Sequence, residues 1–334
     1  MNKQLQTWQL IANSLQQNIA VMLLYVLESN GSSPGRQGFC MAVNAVGEMQ
    51  GSIGGGIMEH KFVEMAKNQL SDSSWQMADG NKRTAEIRQQ FHDKISAKNQ
   101  SGMICSGNQT ILIYLIKEED EIAIKKIINC LKNNKNGLLK FTPDYLFFDE
   151  KQMPEQDFVF QFNSEKDWIY QEKLGIKNRL FIIGGGHCSL ALSRLFSTMD
   201  FYIELFDERN QLNTLELNEF THEKHLIENY ENLTDIELQG KNNYAVIMTV
   251  GYRTDSIALK AIITKPFKYI GMLGSSKKIE KLFCDLKTEG LSEEIISKIH
   301  SPIGIQIYSQ TPEEIAISIA AEIIKIKNGP TINF

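Results

Sequence analysis

Two glycine-rich turns in the sequence stand directly before amphipathic, helix-like segments, and turns of this kind bind anions. Gly184-Gly185-Gly186 joins the apolar run RLFII to SLALSRLFSTM, and Gly51–Gly56 (GSIGGG) precedes IMEHKFVEMAKNQL. At the start of a helix the first backbone amides have no partner within the helix, and the helix dipole favours negative charge there. The sequence therefore predicts two positions for a phosphate-like anion.

The turn at Gly184 has further features of a dinucleotide-binding fingerprint. Gly184 and Gly186 fill the first two glycine positions of GxGxxG, and Ser189 stands at the third, where a small residue still permits close packing. Asp207 ends the next apolar run, 23 residues after Gly184, where a ribose-binding acid belongs. This order predicts a nucleotide-binding Rossmann-type domain. His187, inside the turn, either contacts a phosphate or substrate or is simply exposed.

Three residues of the first half could contribute to an anion or cofactor site. Glu59 follows the turn at Gly51–Gly56 and either belongs to the site or only complements the helix dipole. Arg36 suits bidentate contact with a phosphate, and the alternative is a solvated arginine in a turn. Cys105 lies in a glycine- and serine-flanked loop before a strand-like run, where a thiol is accessible to a ligand. The alternative for Cys105 is a small buried apolar residue.

The periodicity of the chain predicts an α/β protein of two domains. Residues 1–165 combine helix-like and strand-like runs of several kinds and are expected to form an N-terminal α+β domain, followed by a polar linker near residues 163–178. Residues 166–334 alternate strand and helix, which predicts a Rossmann-like parallel sheet with right-handed crossovers. Thr311 and Pro312 mark the start of a final helix that is apolar around much of its circumference and is expected in a core or dimer interface.

Composition excludes several classes of protein. The 334 residues suffice for about two domains, and a net charge of −5 argues against a nucleic-acid-binding protein. No uninterrupted apolar run reaches about 18 residues and no secretory signal is present, so we expect a cytoplasmic protein that does not enter membranes. The five cysteines are scattered without a CxxC pair, which argues against a disulfide framework or a cysteine-based zinc site.

The ordered set of motifs resembles the XdhC/CoxI family, accessory proteins of molybdenum hydroxylases such as xanthine dehydrogenase. The resemblance spans about residues 21–329 and is carried by GSSPGRQGFCMAV, GSIGGGIMEHKFVEMA, CSGNQTILI, FIIGGGHCSLAL, ELFDER, VIMTVGYRTD, YIGMLGSSKK and HSPIGIQIYSQTPEEIAISIAAEIIKIKNG. It implies a homodimeric chaperone rather than an enzyme, one that binds the sulfurated molybdenum cofactor (molybdopterin) and delivers it to a hydroxylase. A cysteine desulfurase is a candidate second partner.

The resemblance also implies which residues contact the cofactor. Cys105 is expected to approach the molybdenum through the cofactor. Lys277 is expected to hold a phosphate, with a solvated lysine as the alternative. The complete set carried over is Gly54, Gly55, Gly56, Glu59, Cys105, Gly184, Gly186, His187, Asp207, Asp255, Gly274, Ser275 and Lys277.

Two other functions are compatible with the motifs. One is an NAD(P)-dependent oxidoreductase that uses the segment from Gly184 to Asp207 for the dinucleotide, although the first half supplies no clear proton-transfer pair. The other is a regulatory module that senses a nucleotide without chemistry.

Overall fold

The apolar run VMLLYVL becomes strand β1 (Val21–Gly31) in the computed structural model, which describes residues 3–71, 85–91 and 107–329. Both faces of β1 are buried, with Leu23 and Tyr25 in one core cluster and Met22 and Leu24 in another. This explains the absence of polar alternation, since a strand covered on both sides reads as a continuous apolar run. The antiparallel order is β3-β2-β1-β5-β4, with β2 (Cys40–Asn44), β3 (Met49–Gly51), β4 (Ala85–Phe91) and β5 (Gly107–Leu115).

Helices cover both faces of this first sheet. Helix α1 (Lys3–Gln16) and helix α3 (Glu121–Lys132) contribute to the core on the Tyr25 side, while α2 (Gly56–Ser71) packs on the opposite side through Met58 and Phe62. The helix predicted after GSIGGG is therefore present as α2, and each of the three helices buries one apolar face.

Two hairpins, at residues 137–149 and 158–174, form a second antiparallel sheet. Its described order is β7-β6-β9-β8, with β6 (Gly137–Phe141), β7 (Leu146–Asp149), β8 (Phe158–Ser164) and β9 (Asp167–Leu174). The ring of Phe141 lies 5.1 Å from that of Tyr25, so this sheet shares a core with the first one.

The chain divides into two units between Gly175 and Ile176. The boundary expected at residues 165/166 falls in the turn between β8 and β9, and half of the expected linker is strand β9, which pairs with β6 and β8. The polar composition of β9 is typical of a linker, but burial alternates along it as in a strand with one face in the core. The buried residues are Trp168, Tyr170, Glu172 and Leu174.

The second unit is a parallel sheet in Rossmann order, which confirms the predicted fold class. Its described strands follow the order β12-β11-β10-β13-β14-β15, which is 3-2-1-4-5-6 when counted along the unit. The strands are β10 (Arg179–Ile183), β11 (Tyr202–Asp207), β12 (Glu223–Leu226), β13 (Asn243–Ile247), β14 (Tyr269–Met272) and β15 (Ile299–His300).

Helices cover both faces of the parallel sheet. They are α4 (His187–Phe196), α5 (Asn213–Glu216), α6 (Tyr252–Ile262), α7 (Ser276–Thr288), α8 (Glu293–Ile296) and α9 (Pro312–Asn328). Helices α4 and α9 pack on one side of β10, and α6 and α7 on the other. Helix α8 is a single turn, and β15 begins shortly after it at Ile299. Among the described helices, none combines the length and apolar character needed to cross a membrane.

Helix α9 begins where the sequence predicts. Thr311 is the N-cap and Pro312 occupies the first helical position. The Thr311 hydroxyl accepts a hydrogen bond from the amide of Glu314 at 3.3 Å, and the Glu314 carboxylate accepts in return from the amides of Gln310 and Thr311. This reciprocal cap satisfies amides that the helix itself leaves unpaired.

We expect Thr311→Ala to lower the free energy of unfolding by about 1 kcal/mol, because the variant loses the side-chain acceptor of the cap. Urea denaturation followed by circular dichroism measures the change. Thr311→Ser keeps an equivalent hydroxyl and should retain most of the stability. Equal losses in the two variants would contradict the capping role of the hydroxyl.

Candidate functional site

The turn at Gly184 lies across the carboxyl ends of three adjacent parallel strands. Gly184 has a φ of 105°, and a Cβ atom built on it would lie 2.4 Å from the carbonyl oxygen of Met248, just after β13. Its amide donates to the carbonyl of Phe206 in β11 at 2.8 Å. Glycine is therefore required at this position. The turn lies at the point where the strand order reverses, which is where open α/β sheets bind ligands.

The start of α4 faces open space. Gly186 is the N-cap of α4 with a φ of −73°, and beyond its own chain neighbours no described atom lies within 4 Å of the position that a Cβ would take there. His187 is exposed next to it. Ser189 is buried, and its hydroxyl donates to the carbonyl of Gly184, so it joins the turn to the helix where the fingerprint has glycine. The amides at the start of α4 are thus placed to donate hydrogen bonds to an anion.

Asp207 occupies the expected position at the end of β11, but its carboxylate is fully buried. It accepts hydrogen bonds from the amide of Gly185 at 2.6 Å and from the Arg209 guanidinium at 2.8 and 2.7 Å. Burial opposes ionisation of Asp207, yet these hydrogen bonds outweigh it and hold the pKa of the carboxyl below its usual range. Asp207 therefore has no exposed atom with which to make the predicted contact with a ribose.

Arg209 is the residue of this corner that the sequence analysis missed. Its side chain is 35% exposed and is anchored to both oxygens of Asp207, so the guanidinium is the charged group that Asp207 holds at the surface. The sequence feature that could have identified Arg209 is its position two residues after the strand-ending acid, because an arginine near that position binds the 2′-phosphate in NADP-binding domains.

A second buried carboxylate, that of Asp255, organises the turns after β13 and β14. Asp255 is 1% exposed, accepts from the amide of Thr249 at 3.0 Å and from its hydroxyl, and forms an ion pair with Lys278. Asp255, predicted as a cofactor contact, therefore fixes the turn at Thr249 to α7. Lys277, also predicted, is exposed, and the inward-turned lysine is Lys278.

Gly274 and Ser275 lie where β14 leads into α7, with Ser275 exposed at the N-cap. Together with Gly186 and His187, they belong to the turns at the carboxyl edge of the sheet. The edge therefore brings together five of the predicted residues with accessible surface: Gly186, His187, Gly274, Ser275 and Lys277.

In the first unit the glycine turn binds an internal anion. Gly54, Gly55 and Gly56 all have positive φ, at 129°, 78° and 69°. One oxygen of Glu59 accepts from the amides of Ile53 and Gly55 at 2.9 and 3.0 Å and from the Ser52 hydroxyl at 2.6 Å. The turn has anion-binding geometry, but an external anion would have to displace Glu59.

The loop that carries Arg36 packs against this glycine turn. A Cβ on Gly54 would lie 2.4 Å from the amide nitrogen of Gly35. Arg36 itself is exposed and donates to the carbonyl of Gly31 at 3.2 Å. Cys105 lies outside the described residues, and β5 begins at Gly107, which pairs with Gly31.

Two family models match the chain. The model described as the XdhC Rossmann domain matches residues 180–323, and the model described as the XdhC and CoxI family matches residues 14–78. Each match includes one of the two glycine turns.

Individual proteins extend these matches over most of the chain. An Escherichia coli K12 protein named uncharacterized protein YqeB is 24% identical over 94% of this chain, which spans 45% of that protein's length. A Bacillus subtilis 168 protein, named as a probable subunit of xanthine dehydrogenase, is 23% identical over 94% of this chain and 95% of its own. A crystal structure from Bacillus halodurans, described as a xanthine dehydrogenase, is 19% identical with a TM-score of 0.69, covers 98% of both chains, and shows a shared fold.

Asp207→Asn is expected to lower the free energy of unfolding by about 2 kcal/mol at neutral pH, because Arg209 loses a charged partner. Since the folded-state pKa of Asp207 is depressed, its contribution is complete above the unfolded-state pKa and is lost as the pH falls through the folded-state pKa. The gap between wild type and variant should therefore narrow in acid. Urea denaturation across a pH series tests this, with the exposed Asp235→Asn as the control. A gap that is independent of pH would contradict the assignment.

Proposed function

The chain belongs to the XdhC and CoxI family, and from this premise we propose that it is an accessory protein of a xanthine dehydrogenase-like molybdenum hydroxylase. The Bacillus subtilis relative, whose name assigns it to a xanthine dehydrogenase, supports this role. We further propose that the chain binds the molybdenum cofactor in its sulfurated form and delivers it to that enzyme. In this role it is a cofactor chaperone, and the cofactor is its cargo.

The observation that carries the proposal is the open space in front of Gly186. The molybdenum cofactor is a pterin with a dithiolene and a phosphate. The amides at the start of α4 would hold the phosphate, and the nearby Arg209 guanidinium would complement its charge. Exposed His187 would reach the same group. These donors suit a phosphate, and Gly186 leaves room for one.

The first unit contributes to the proposal through Cys105. A thiolate is a soft ligand suited to the metal end of the cofactor, and the family resemblance implies this role for Cys105. Glu59 closes the turn Gly51–Gly56 in the structure, so its proposed role is to fix that turn rather than to contact the cargo.

The proposal also includes how the cargo is received and passed on. We propose a cytoplasmic homodimer that docks on the hydroxylase, with a cysteine desulfurase supplying the sulfur of the cofactor.

Two observations favour a second candidate, an NADP-binding oxidoreductase. The strand order 3-2-1-4-5-6 and an arginine beside the strand-ending acid are both features of NADP-binding domains. The burial of Asp207 counts against NAD, because the carboxylate is not accessible to a ribose hydroxyl. Thermal shifts measured separately with NAD, NADP, CTP and the molybdenum cofactor distinguish the two functions, because a ligand stabilises the folded state that binds it. A shift with NADP and none with the cofactor would favour the oxidoreductase.

Gly186→Asp and Gly186→Asn form a matched pair that tests the phosphate position. Both residues are favourable N-caps and have space at Gly186, so both variants should fold with unchanged thermal stability. The added carboxylate of Asp repels an anion that neutral Asn tolerates. We expect the affinity for the molybdenum cofactor, measured by titration of intrinsic fluorescence, to be lower in Gly186→Asp than in Gly186→Asn by at least roughly tenfold, about 1.4 kcal/mol. Wild-type affinity in the Asp variant would contradict a phosphate at this position.

Cys105→Ala is expected to reduce the molybdenum that the protein retains through gel filtration by several-fold, because the proposed sulfur ligand is removed. Metal analysis of the protein peak provides the measurement. Cys284→Ala, which removes an exposed thiol elsewhere, should retain the wild-type amount. Equal retention by both variants and wild type would exclude a role of Cys105 in holding the cargo.

A further inference from the structure

A second polar cluster lies on the face of the parallel sheet, among residues that the proposed function does not use. Glu204 in β11 lies directly opposite Glu223 in the parallel partner β12, and Phe206 lies opposite His225. Because side chains two residues apart in a strand share a face, Glu204, Glu223 and His225 project from the same side of the sheet. One ligand atom from each of the three lies within 4.8 Å of the others.

Each carboxylate of this cluster uses one oxygen for a fixed partner. Glu204 Oε1 accepts from the guanidinium of Arg179 at 2.6 Å, and Glu223 Oε1 accepts from the hydroxyl of Tyr202. The other oxygen of each carboxylate faces His225, with Nε2 lying 3.4 Å from Glu204 Oε2 and 3.2 Å from Glu223 Oε2. Outer partners of this kind orient the ligands of protein metal sites.

The imidazole of His225 is held in place, but its Nε2 atom is unsatisfied. The ring stacks on Phe206 with centroids 4.4 Å apart and planes inclined by 16°. Nε2 is shielded from solvent and makes no hydrogen bond to any described residue, since neither carboxylate contact has hydrogen-bond geometry. A buried polar atom without a partner is costly, which indicates that a further species completes the cluster.

The spacing of the three groups suits a metal ion. Two ligand atoms that each lie about 2.1 Å from Zn²⁺ at a tetrahedral angle are roughly 3.4 Å apart, close to the 3.2 and 3.4 Å that separate Nε2 from the two carboxylate oxygens. An imidazole nitrogen with two carboxylates is a ligand set for a divalent first-row transition metal. The charge of Glu204 is already shared with Arg179, so Glu223 supplies most of the negative charge that offsets the ion.

We propose that Glu204, Glu223 and His225 bind a divalent transition-metal ion of the Zn²⁺ type through Oε2, Oε2 and Nε2. Solvent completes the coordination, since the side chains of Glu223 and His225 remain 48% and 34% exposed. The site joins β12, the edge strand of the sheet, to β11. It uses none of the residues proposed to hold the molybdenum cofactor, so either proposal can fail without the other.

Equilibrium dialysis of the full-length, tag-free, chelator-treated protein against Zn²⁺ tests the site. Wild type should bind one more equivalent of Zn²⁺ than His225→Gln and Glu223→Gln, whose affinity at this site should fall at least roughly tenfold for the loss of one ligand. His60→Gln is the matched control, because it removes an exposed histidine of the first unit. Millimolar Mg²⁺, which prefers six oxygen ligands, should not compete.

Substitution with Co²⁺ gives a second readout that does not depend on stability. Wild type and His60→Gln should show visible d–d absorption typical of four-coordinate Co²⁺, and His225→Gln should lack it. Thermal unfolding checks that each variant is folded. The proposal is overturned if wild type takes up no Zn²⁺ at tens of micromolar, or if His225→Gln and Glu223→Gln bind the ion like wild type.

Discussion

Carboxylates that accept hydrogen bonds from turn amides and hydroxyls hold the glycine-rich and strand-end turns of this protein, and those of Asp207 and Asp255 are buried. Glu59 binds the amides of the turn before α2, Asp207 binds the amide of Gly185, and Asp255 binds the amide and hydroxyl of Thr249. A charge removed from water is unfavourable unless it is paired, and the hydrogen bonds and ion pairs supply that compensation. The shape of each turn therefore depends on an acid that lies behind it.

This arrangement separates the residues that build a site from those that a ligand would touch. The carboxylate of Asp207 is enclosed, while Gly186 opens to free space and Arg209 is partly exposed. Under the proposed function, contact through backbone amides and one arginine at an open edge suits a cargo that must be released again. A deeply enclosed site would bind more of the cofactor surface and would slow its transfer to the hydroxylase.

The fold was largely predictable from the sequence because its strands and helices are long and clearly periodic. The alternation from Arg179 onward predicts the parallel sheet, and Thr311 with Pro312 predicts the start of α9. The short strands β3, β12 and β15 were not predicted, because a run of two to four residues carries too little periodicity. Strand β9 was assigned to the linker, because polar residues alternate with its buried ones.

The candidate site was predictable in position but less so in atomic role. A motif shows where an acid stands in the chain, whereas packing decides whether its oxygens face a ligand or the protein's own amides. Asp207 and Glu204 illustrate the difference, since both belong to β11 and both pair with an arginine. Both oxygens of Asp207 accept hydrogen bonds from Arg209, and one also accepts from the amide of Gly185. The carboxylate therefore serves the fold rather than a ligand.

Glu204 gives one oxygen to Arg179 and directs the other at the unsatisfied Nε2 of His225. The dinucleotide-binding fingerprint points to Asp207 and not to Glu204, and the difference between a structural carboxylate and a ligand lies in that second oxygen. The neighbouring segment determines the role of each acid. Strand β12 places His225 beside Glu204, while the turn after β10 places the amide of Gly185 beside Asp207. The strand order of the sheet, rather than the local motif, therefore determines which acid of β11 is available to bind an ion.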